Sequence, residues 1–398
     1  MRHFKLLLFL SVSPIAVTVP VPANGAASDD DGPPFVASDP NSGTDLAMSG
    51  KYAQAITVLS RDIATKPTAR AYFWRAECWR KADRSVDDDK AIADYSQSLA
   101  LDPTLAAAYR NRGQCWTRKG DLARAIADFT QAIALAPDLP LVGERLADAR
   151  LQSKDYAGAI TDYTRLISRA QTGSSSTSEW DLPGYYYSRG TARSQVADLA
   201  GAAADFSDAI QEPCSAKITI GGYSIRDLAH YQRGRSRAAR KEIDGAIADF
   251  SEVVGRNPKA FEPYFSRGQA YRQKQDDRHA IADFSTCIAL DGNDADSYDQ
   301  RAHAYQHLGD YAKAEPDFTR CVELEPKRAD AFLNRGLVRI ELNNRAGARA
   351  DLDQAILLHP TAEAYRARAG LLQTEGETTA ASDLAKAAQL EAEAASRP

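Results

Sequence analysis

The sequence is short of the residues that announce chemistry. Its 398 residues hold five cysteines with no CxxC pair, so the ligand spacing of a zinc ribbon or a redox dithiol is missing. There is no GxxxxGK[ST] phosphate loop, no GxSxG nucleophile elbow and no HExxH. Each of those motifs sets a reactive group at a fixed offset on a known local frame. No enzymatic activity and no cofactor are therefore expected. Basic blocks are missing too. Lys and Arg total 49 against 54 Asp and Glu, a net charge of −5, so nucleic acid is not an expected partner. Methionine occurs twice and tryptophan four times. Alanine and tyrosine are plentiful by contrast, as in helices that pack through small and aromatic residues.

What is present is repetition. Ala125-Ile126-Ala127-Asp128-Phe129-Thr130 recurs at Ala91–Ser96, Ala159–Thr164, Ala202–Ser207, Ala246–Ser251 and Ala280–Ser285, and more loosely at Ala314–Thr319 and Ala348–Asp353. The aspartates fall at 94, 128, 162, 205, 249, 283, 317, 351 and 383, with spacings of 34, 34, 43, 44, 34, 34, 34 and 32. Such a period marks a solenoid, whose units bury their apolar faces only against neighbours and whose core grows in one direction. In Ala106–Pro137, the residues Tyr109, Gly113 and Trp116 share one face of a first helix,. Gly120-Asp121 turns the chain, and Ala125, Phe129, Ala132 and Ile133 line a second helix. Pro137 ends that helix.

These residues resemble the tetratricopeptide repeat family, in which an aromatic, a Leu-Gly pair, an aromatic, Ala, an aromatic and Pro recur every 34 residues. Tyr109, Gly113, Trp116, Ala125, Phe129 and Pro137 stand in the matching places. The chain departs from the family at one position. Arg112 replaces the usual Leu before the Gly, as do Arg75, Arg189, Arg233, Arg267, Arg301, Arg335 and Arg368. The resemblance implies an all-α fold: a right-handed α-α superhelical solenoid of about nine helix-turn-helix repeats plus a degenerate N-terminal half repeat. It also implies a concave groove that binds peptides or proteins. The lysine–asparagine clamp that some members use for a C-terminal carboxylate is absent.

Residues 1–27 read as a secretory signal peptide, with basic residues at Arg2 and Lys5, an apolar Leu6–Leu10 and small residues at 23–27,. The expected location is periplasmic or secreted. Pro14 and the short apolar run argue against a membrane span, which needs about 20 apolar residues. Residues 28–41 read as a disordered linker of Asp and Pro. The solenoid is expected over 42–398. Insertions lie at 171–181, a Ser/Thr-rich loop, and at 214–225, which has a weak hairpin signal. Pro316 is expected to shift or kink the start of a second helix. Leu384 takes the place of the repeat's Phe in the last unit.

Four sets of residues are candidates for chemistry. The recurrent Arg and Asp suggest either a charged ligand track or an ion pair inside each repeat. The pair is favoured, because an isolated buried charge is costly. In the unit of Asp162 the Arg is replaced by Leu146, and Arg150, one turn on, is expected to substitute. Cys78 and Cys115 share one repeat position with Ala149, Ala192 and Ala270, while Cys287 and Cys321 match Ala132 and Ala209. Equivalent places on stacked helices lie about 8–10 Å apart, beyond the ~7 Å that a disulfide spans. Buried thiols are expected there, and an accessible one at Cys214. Asp299, His303 and His307 fall at i, i+4 and i+8, a spacing that can hold a metal. A solvated face is the favoured reading of them, and no metal is expected.

The last set is the groove. Positions one residue after the core stripe are expected to face it, namely Tyr187, Thr191 and Ser194, then Tyr231, Arg235 and Ala238, then Phe265, Gln269 and Arg272. The candidate peptide-binding residues are Tyr187, Tyr231, Arg235, Phe265, Gln269 and Arg272, with the arginines meeting carboxylates of a protein or peptide partner. The alternative is that the rings pack on neighbouring helices and complete the core. The function expected is that of an exported interaction scaffold. An envelope assembly or chaperone-like factor is one alternative, and a metal-dependent protein using Asp299, His303 and His307 is another.

Overall fold

A computed structural model describes residues 42–82, 88–172, 181–212, 219–220, 223–374 and 379–395. The signal-like segment 1–27, the linker 28–41, Cys214 and most of both insertions lie outside the described residues. Among those described, the chain is a series of antiparallel α-hairpins, in two compact units that meet between Ile225 and Arg226.

In the first unit the helices are α1 (Gly43–Met48), α2 (Tyr52–Thr65), α3 (Ala69–Ala82), α4 (Asp88–Leu101), α5 (Ala106–Arg118), α6 (Leu122–Leu135), α7 (Val142–Gln152), α8 (Tyr156–Gln171), α9 (Asp181–Gln195) and α10 (Leu199–Gln211). Two short strands, β1 (Thr219–Ile220) and β2 (Tyr223–Ser224), pair antiparallel with Thr219 opposite Ser224. They fall inside the second insertion, where the hairpin signal stood. The second unit holds α11 (Ile225–Ala239), α12 (Ile243–Arg256), α13 (Phe261–Gln273), α14 (Asp277–Leu290), α15 (Ala295–His307), α16 (Tyr311–Leu324), α17 (Ala329–Glu341), α18 (Arg345–Leu358), α19 (Ala362–Thr374) and α20 (Ala380–Ala395). Within each unit, consecutive helices pack on one another.

The local causes repeat with the sequence. Second helices open on an aspartate whose carboxylate accepts a backbone N–H three residues on, as at Asp121, Asp155, Asp198 and Asp276. That satisfies a donor the helix itself leaves open. The core is built from Ala125, Phe129 and Ala132, fully buried, and from their buried equivalents in the other hairpins except at Leu384. Gly113 is needed for this packing. A Cβ there would stand 2.7 Å from the Phe129 ring, so the two helices approach as closely as the missing side chain allows.

Three elements differ from expectation or refine it. The first helix of the opening hairpin, α1, has only six residues and is capped by Ser42, whose hydroxyl accepts the Asp45 N–H. Pro316 neither shifts nor shortens its helix, since α16 runs the same 14 residues as α6. The ring sits on the exposed side, where losing one backbone bond disturbs no packing. Leu384 does not fill the space of the repeated Phe but is 41% exposed.

Candidate functional site

Eight repeats carry the same polar joint. Arg75, Arg112, Arg189, Arg233, Arg267, Arg301, Arg335 and Arg368 each grip the aspartate of the same hairpin, with closest N–O distances of 2.6–2.7 Å. In most of them the contact is a two-toothed fork, as in Arg267 Nε and Nη2 on Asp283 at 2.9 and 2.7 Å. The Arg side chains keep at most 23% exposure and the Asp side chains at most 8%. The pairing within repeats is therefore observed, and it occupies the charges that a ligand track would need.

The joint has two further limbs that the residue pattern did not suggest. Nη1 of the arginine donates to the hydroxyl that ends the six-residue motif of the preceding hairpin. Arg112 reaches Ser96, Arg267 reaches Ser251 and Arg301 reaches Ser285, all at 3.0 Å. The guanidinium also lies over the aromatic ring three residues earlier, as with Arg112 on Tyr109 at 5.6 Å and Arg267 on Tyr264 at 5.5 Å, an arrangement that a cation and a π face favour. One arginine thus ties its own hairpin together and stitches it to the one before. The signal was present in the Ser or Thr that ends the motif in all copies but Ala348–Asp353, where Arg368 reaches Asp353 instead.

The unit of Leu146 is a natural deletion of the joint. Thr130 is exposed there, and its hydroxyl bonds only its own helix, at Ile126 O. Arg150 takes Asp162 at 2.6 Å, as expected, and Arg165 adds a contact at 3.0 Å. Burial pushes the Asp162 carboxyl above its ordinary range, with Arg150 and Arg165 offsetting only part. Asp249 shows the opposite balance. Burial pushes up, but hydrogen bonds from His230 and Arg233 and the charge of Arg237 outweigh it and hold the carboxyl low.

The groove candidates separate by chemistry. The rings turn inward. Tyr231 lies 5.8 Å from Phe250, Phe265 lies 5.6 Å from Phe284, and Tyr187, only 4% exposed, lies 5.8 Å from Phe206. The packing alternative therefore describes these rings, although Tyr231 and Phe265 stay half-buried. The polar members differ. Gln269 is exposed. Arg235 lies over the Tyr231 ring at 5.9 Å, and its one hydrogen bond is to Gln232 at 3.4 Å. Arg272 donates to Gln300 at 2.6 Å. Burial draws the Arg272 guanidinium down from its ordinary value, with Asp277 and Asp299 only partly opposing. Neither arginine forms an ion pair among the described residues. Tyr187 belongs to the first unit, and the other five residues belong to the second.

Of the three residues expected on a solvated face, His307 is exposed, His303 is half-buried and Asp299 is buried. Asp299 is buried beside Arg328, at 3.5 Å. His303 bonds the Asp299 carbonyl at 2.8 Å and sets its ring edge against Phe318. His307 turns to Asp277 on the preceding hairpin. Asp299 and His303 partner one another while His307 turns away from both, and among the described residues no three His, Cys, Asp or Glu side chains converge as a metal site would need. Cys78, Cys115, Cys287 and Cys321 are free and buried. Burial pushes each thiol up to about 12, so they act as small core residues.

Sequence profiles described as tetratricopeptide repeat match residues 106–139, 228–295, 295–328 and 330–362. No curated protein matches the chain. Among solved structures, the C-terminal part of a TPR repeat-containing protein from Cytophaga hutchinsonii is similar at 17% identity and a TM-score of 0.52, covering 62% of this chain and 94% of its own. MamA from Desulfovibrio magneticus is 15% identical with a TM-score of 0.41, covering 46% and 97%. Yeast Tom70 is 16% identical with a TM-score of 0.36, covering 87% and 83%. Outside the matched stretches, α3–α4, α9–α10 and α19–α20 repeat the same Arg–Asp joint, and with those matches the chain is a tetratricopeptide repeat protein.

Proposed function

We propose that this scaffold binds a protein or peptide on the face of α11 and α13 that carries Tyr231, Arg235, Phe265, Gln269 and Arg272. The observation that carries the proposal is electrostatic. The joint arginines are each paired with an aspartate, whereas Arg235 and Arg272 are half-buried cations that form no ion pair among the described residues, Asp277 and Asp299 acting on Arg272 only through space. A partially desolvated guanidinium is a strong, directional seat for a carboxylate. The half-buried rings beside it supply apolar area, and aromatic and Arg side chains dominate binding hot spots. Tyr187, buried in the other unit, is not required for the contact. The reading needs no catalysis.

Export is proposed on the strength of residues 1–27, and with it a role in assembling envelope or secreted proteins. Protein recovered outside the cytosol should begin between about Asn24 and Asp29. Intact Met1 on cytosolic protein would overturn export without touching the binding face. For that face, the full chain and its Arg235→Gln/Arg272→Gln double variant serve as bait in envelope extract, with bound proteins identified by mass spectrometry. The double variant is expected to lose the partner while melting at the same temperature. Equal capture by both would move the site elsewhere.

A further inference from the structure

The polar joint is interrupted at Leu146, and the interruption falls inside the first unit, between α6 and α7. Elsewhere the arginine of this position directs Nη1 to the hydroxyl that ends the motif of the preceding hairpin. Arg112 reaches Ser96 at 3.0 Å and Arg189 reaches Thr164 at 3.1 Å. Leu146 has nothing to donate. Thr130, the hydroxyl it would meet, donates to Ile126 O of its own helix at 2.7 Å. It lacks the arginine that its counterparts accept. The packing of α6 with α7 is apolar, with Val142, Leu146 and Ala149 set against Phe129 and Ala132. Apolar contact is non-directional, so it resists separation more than it resists sliding.

The entry to α7 is unlike that of the helix it follows in the stack. Leu141, its N-cap, stands at φ 62°, whereas Leu105, the N-cap of α5, stands at φ −76°. A leucine in the left-handed region carries local strain. α7 has 11 residues where α5, α13, α15 and α17 have 13. Its acids reach forward along the chain. Asp148 accepts from the Tyr163 hydroxyl on α8 at 2.5 Å, and Glu144 accepts from the Tyr185 hydroxyl on α9 at 2.7 Å. Arg169 of α8 donates to Pro137 O at 3.1 Å, which ties the segment between α6 and α7 to the later hairpin as well.

We propose that the α6–α7 junction is a hinge built into the first unit, at which α7–α10 turn as a block against α1–α6. The missing stitch, the strained entry and the forward bonds place the give at one junction. A hinge needs only a few residues at element ends to take up the backbone change, and residues 136–141 supply them. The Arg–Asp pairs at Arg75, Arg112 and Arg189, and the stitches to Ser60, Ser96 and Thr164, each lie within one block or the other. Turning at the junction therefore changes the separation of α5 and α7 without breaking any of them, and the first unit can fit partners of different shape. The hinge stands independently of the Arg235 and Arg272 face, which belongs to the second unit.

Repair of the joint is the direct test. Arg189 and Arg193 both hold Asp205, and Arg335 and Arg339 both hold Asp351. Arg150 occupies the place of Arg193 and Arg339. Leu146→Arg thus rebuilds on Asp162 an arrangement the chain already uses, and presents Nη1 to Thr130. Hydrogen–deuterium exchange of the full chain is read by mass spectrometry. In the parent, α7 amides should exchange at least about tenfold faster than those of α5, as a segment that opens locally does. Leu146→Arg should slow α7 by about tenfold, since it adds a hydrogen bond from a charged donor, and should leave α3 and α4 unchanged. Thr130→Ala on top of Leu146→Arg should return part of that gain. Arg189→Leu is the reverse change, because Arg193 stays on Asp205 as Arg150 stays on Asp162, and it should speed exchange in α9. The parent comparison and Arg189→Leu decide the question even where Leu146→Arg does not fold. Equal protection of α7 and α5 in the parent, unchanged exchange in a folded Leu146→Arg, or unchanged exchange of α9 in Arg189→Leu would each overturn the hinge.

Discussion

At the scale of single residues, arginine does two different jobs here, and the nearest acid decides which. Where an aspartate meets the fork, as in Arg267 with Asp283 at 2.7 Å, the cation belongs to the fold. Arg267→Gln should lower stability by about 3 kcal/mol in urea unfolding, near the lower end for breaking a buried pair, because the Arg side chain keeps some exposure. A loss under about 1 kcal/mol would mean the pair behaves as an exposed one. The aspartates give a second test through pH. The Asp249 carboxyl is held low in the folded chain, so its stabilisation is present above the ordinary carboxylate range and is lost as pH falls through the folded value. The Asp162 carboxyl is raised, so its ionised form costs stability at neutral pH, a cost relieved as pH falls through that raised value. Asp249→Asn should lower the melting temperature at pH 7 and converge with the parent in acid, whereas Asp162→Asn should change it little at pH 7. Matching losses at pH 7 would contradict the assignment. The four thiols pushed up to about 12 should resist iodoacetamide at pH 8 until the chain is unfolded. A single label, at Cys214, is expected on the native protein by mass spectrometry, and labelling of Cys115 or Cys321 before unfolding would contradict their burial.

At the scale of the hairpin, the turn between its two helices requires a left-handed residue. Gly50, Gly120 and Gly309 fill it, but so do Lys154, Ala197, Lys241, Gln275 and Asn343, all at φ between 60° and 66°. A side chain there costs about 1–2 kcal/mol in local strain. Gln275→Gly should therefore raise stability by about 1 kcal/mol, less than the strain because glycine gains freedom in the unfolded chain. A loss in urea unfolding would contradict this. The hairpins were legible in the sequence because small, aromatic and proline residues recur at fixed offsets. Two things were not. The inward turn of Tyr231 and Phe265 depends on the recurrent Phe of the facing helix, which a helical-face argument places on another stripe. The burial of Asp299 depends on Arg328, from the following hairpin, and contacts between hairpins leave no local pattern. For the same reason Tyr231→Ala is a poor probe of binding. Removing a ring packed on Phe250 should itself cost about 2–4 kcal/mol.

At the scale of the whole molecule, the chain comprises two stacks of hairpins, and within each stack a repeated joint ties one hairpin to the next. In repeat proteins stability is close to a sum of units and neighbouring interfaces. A cation that serves the stack must show in the melt, and one that serves a partner need not. The comparison that decides between these roles is a thermal melt of the parent, Arg267→Gln and Arg235→Gln/Arg272→Gln, each also used as bait for the partner in envelope extract. Arg267→Gln should melt several degrees lower, and the double variant should melt with the parent but no longer hold the partner. A double variant that melts low, or one that keeps the partner, would contradict it.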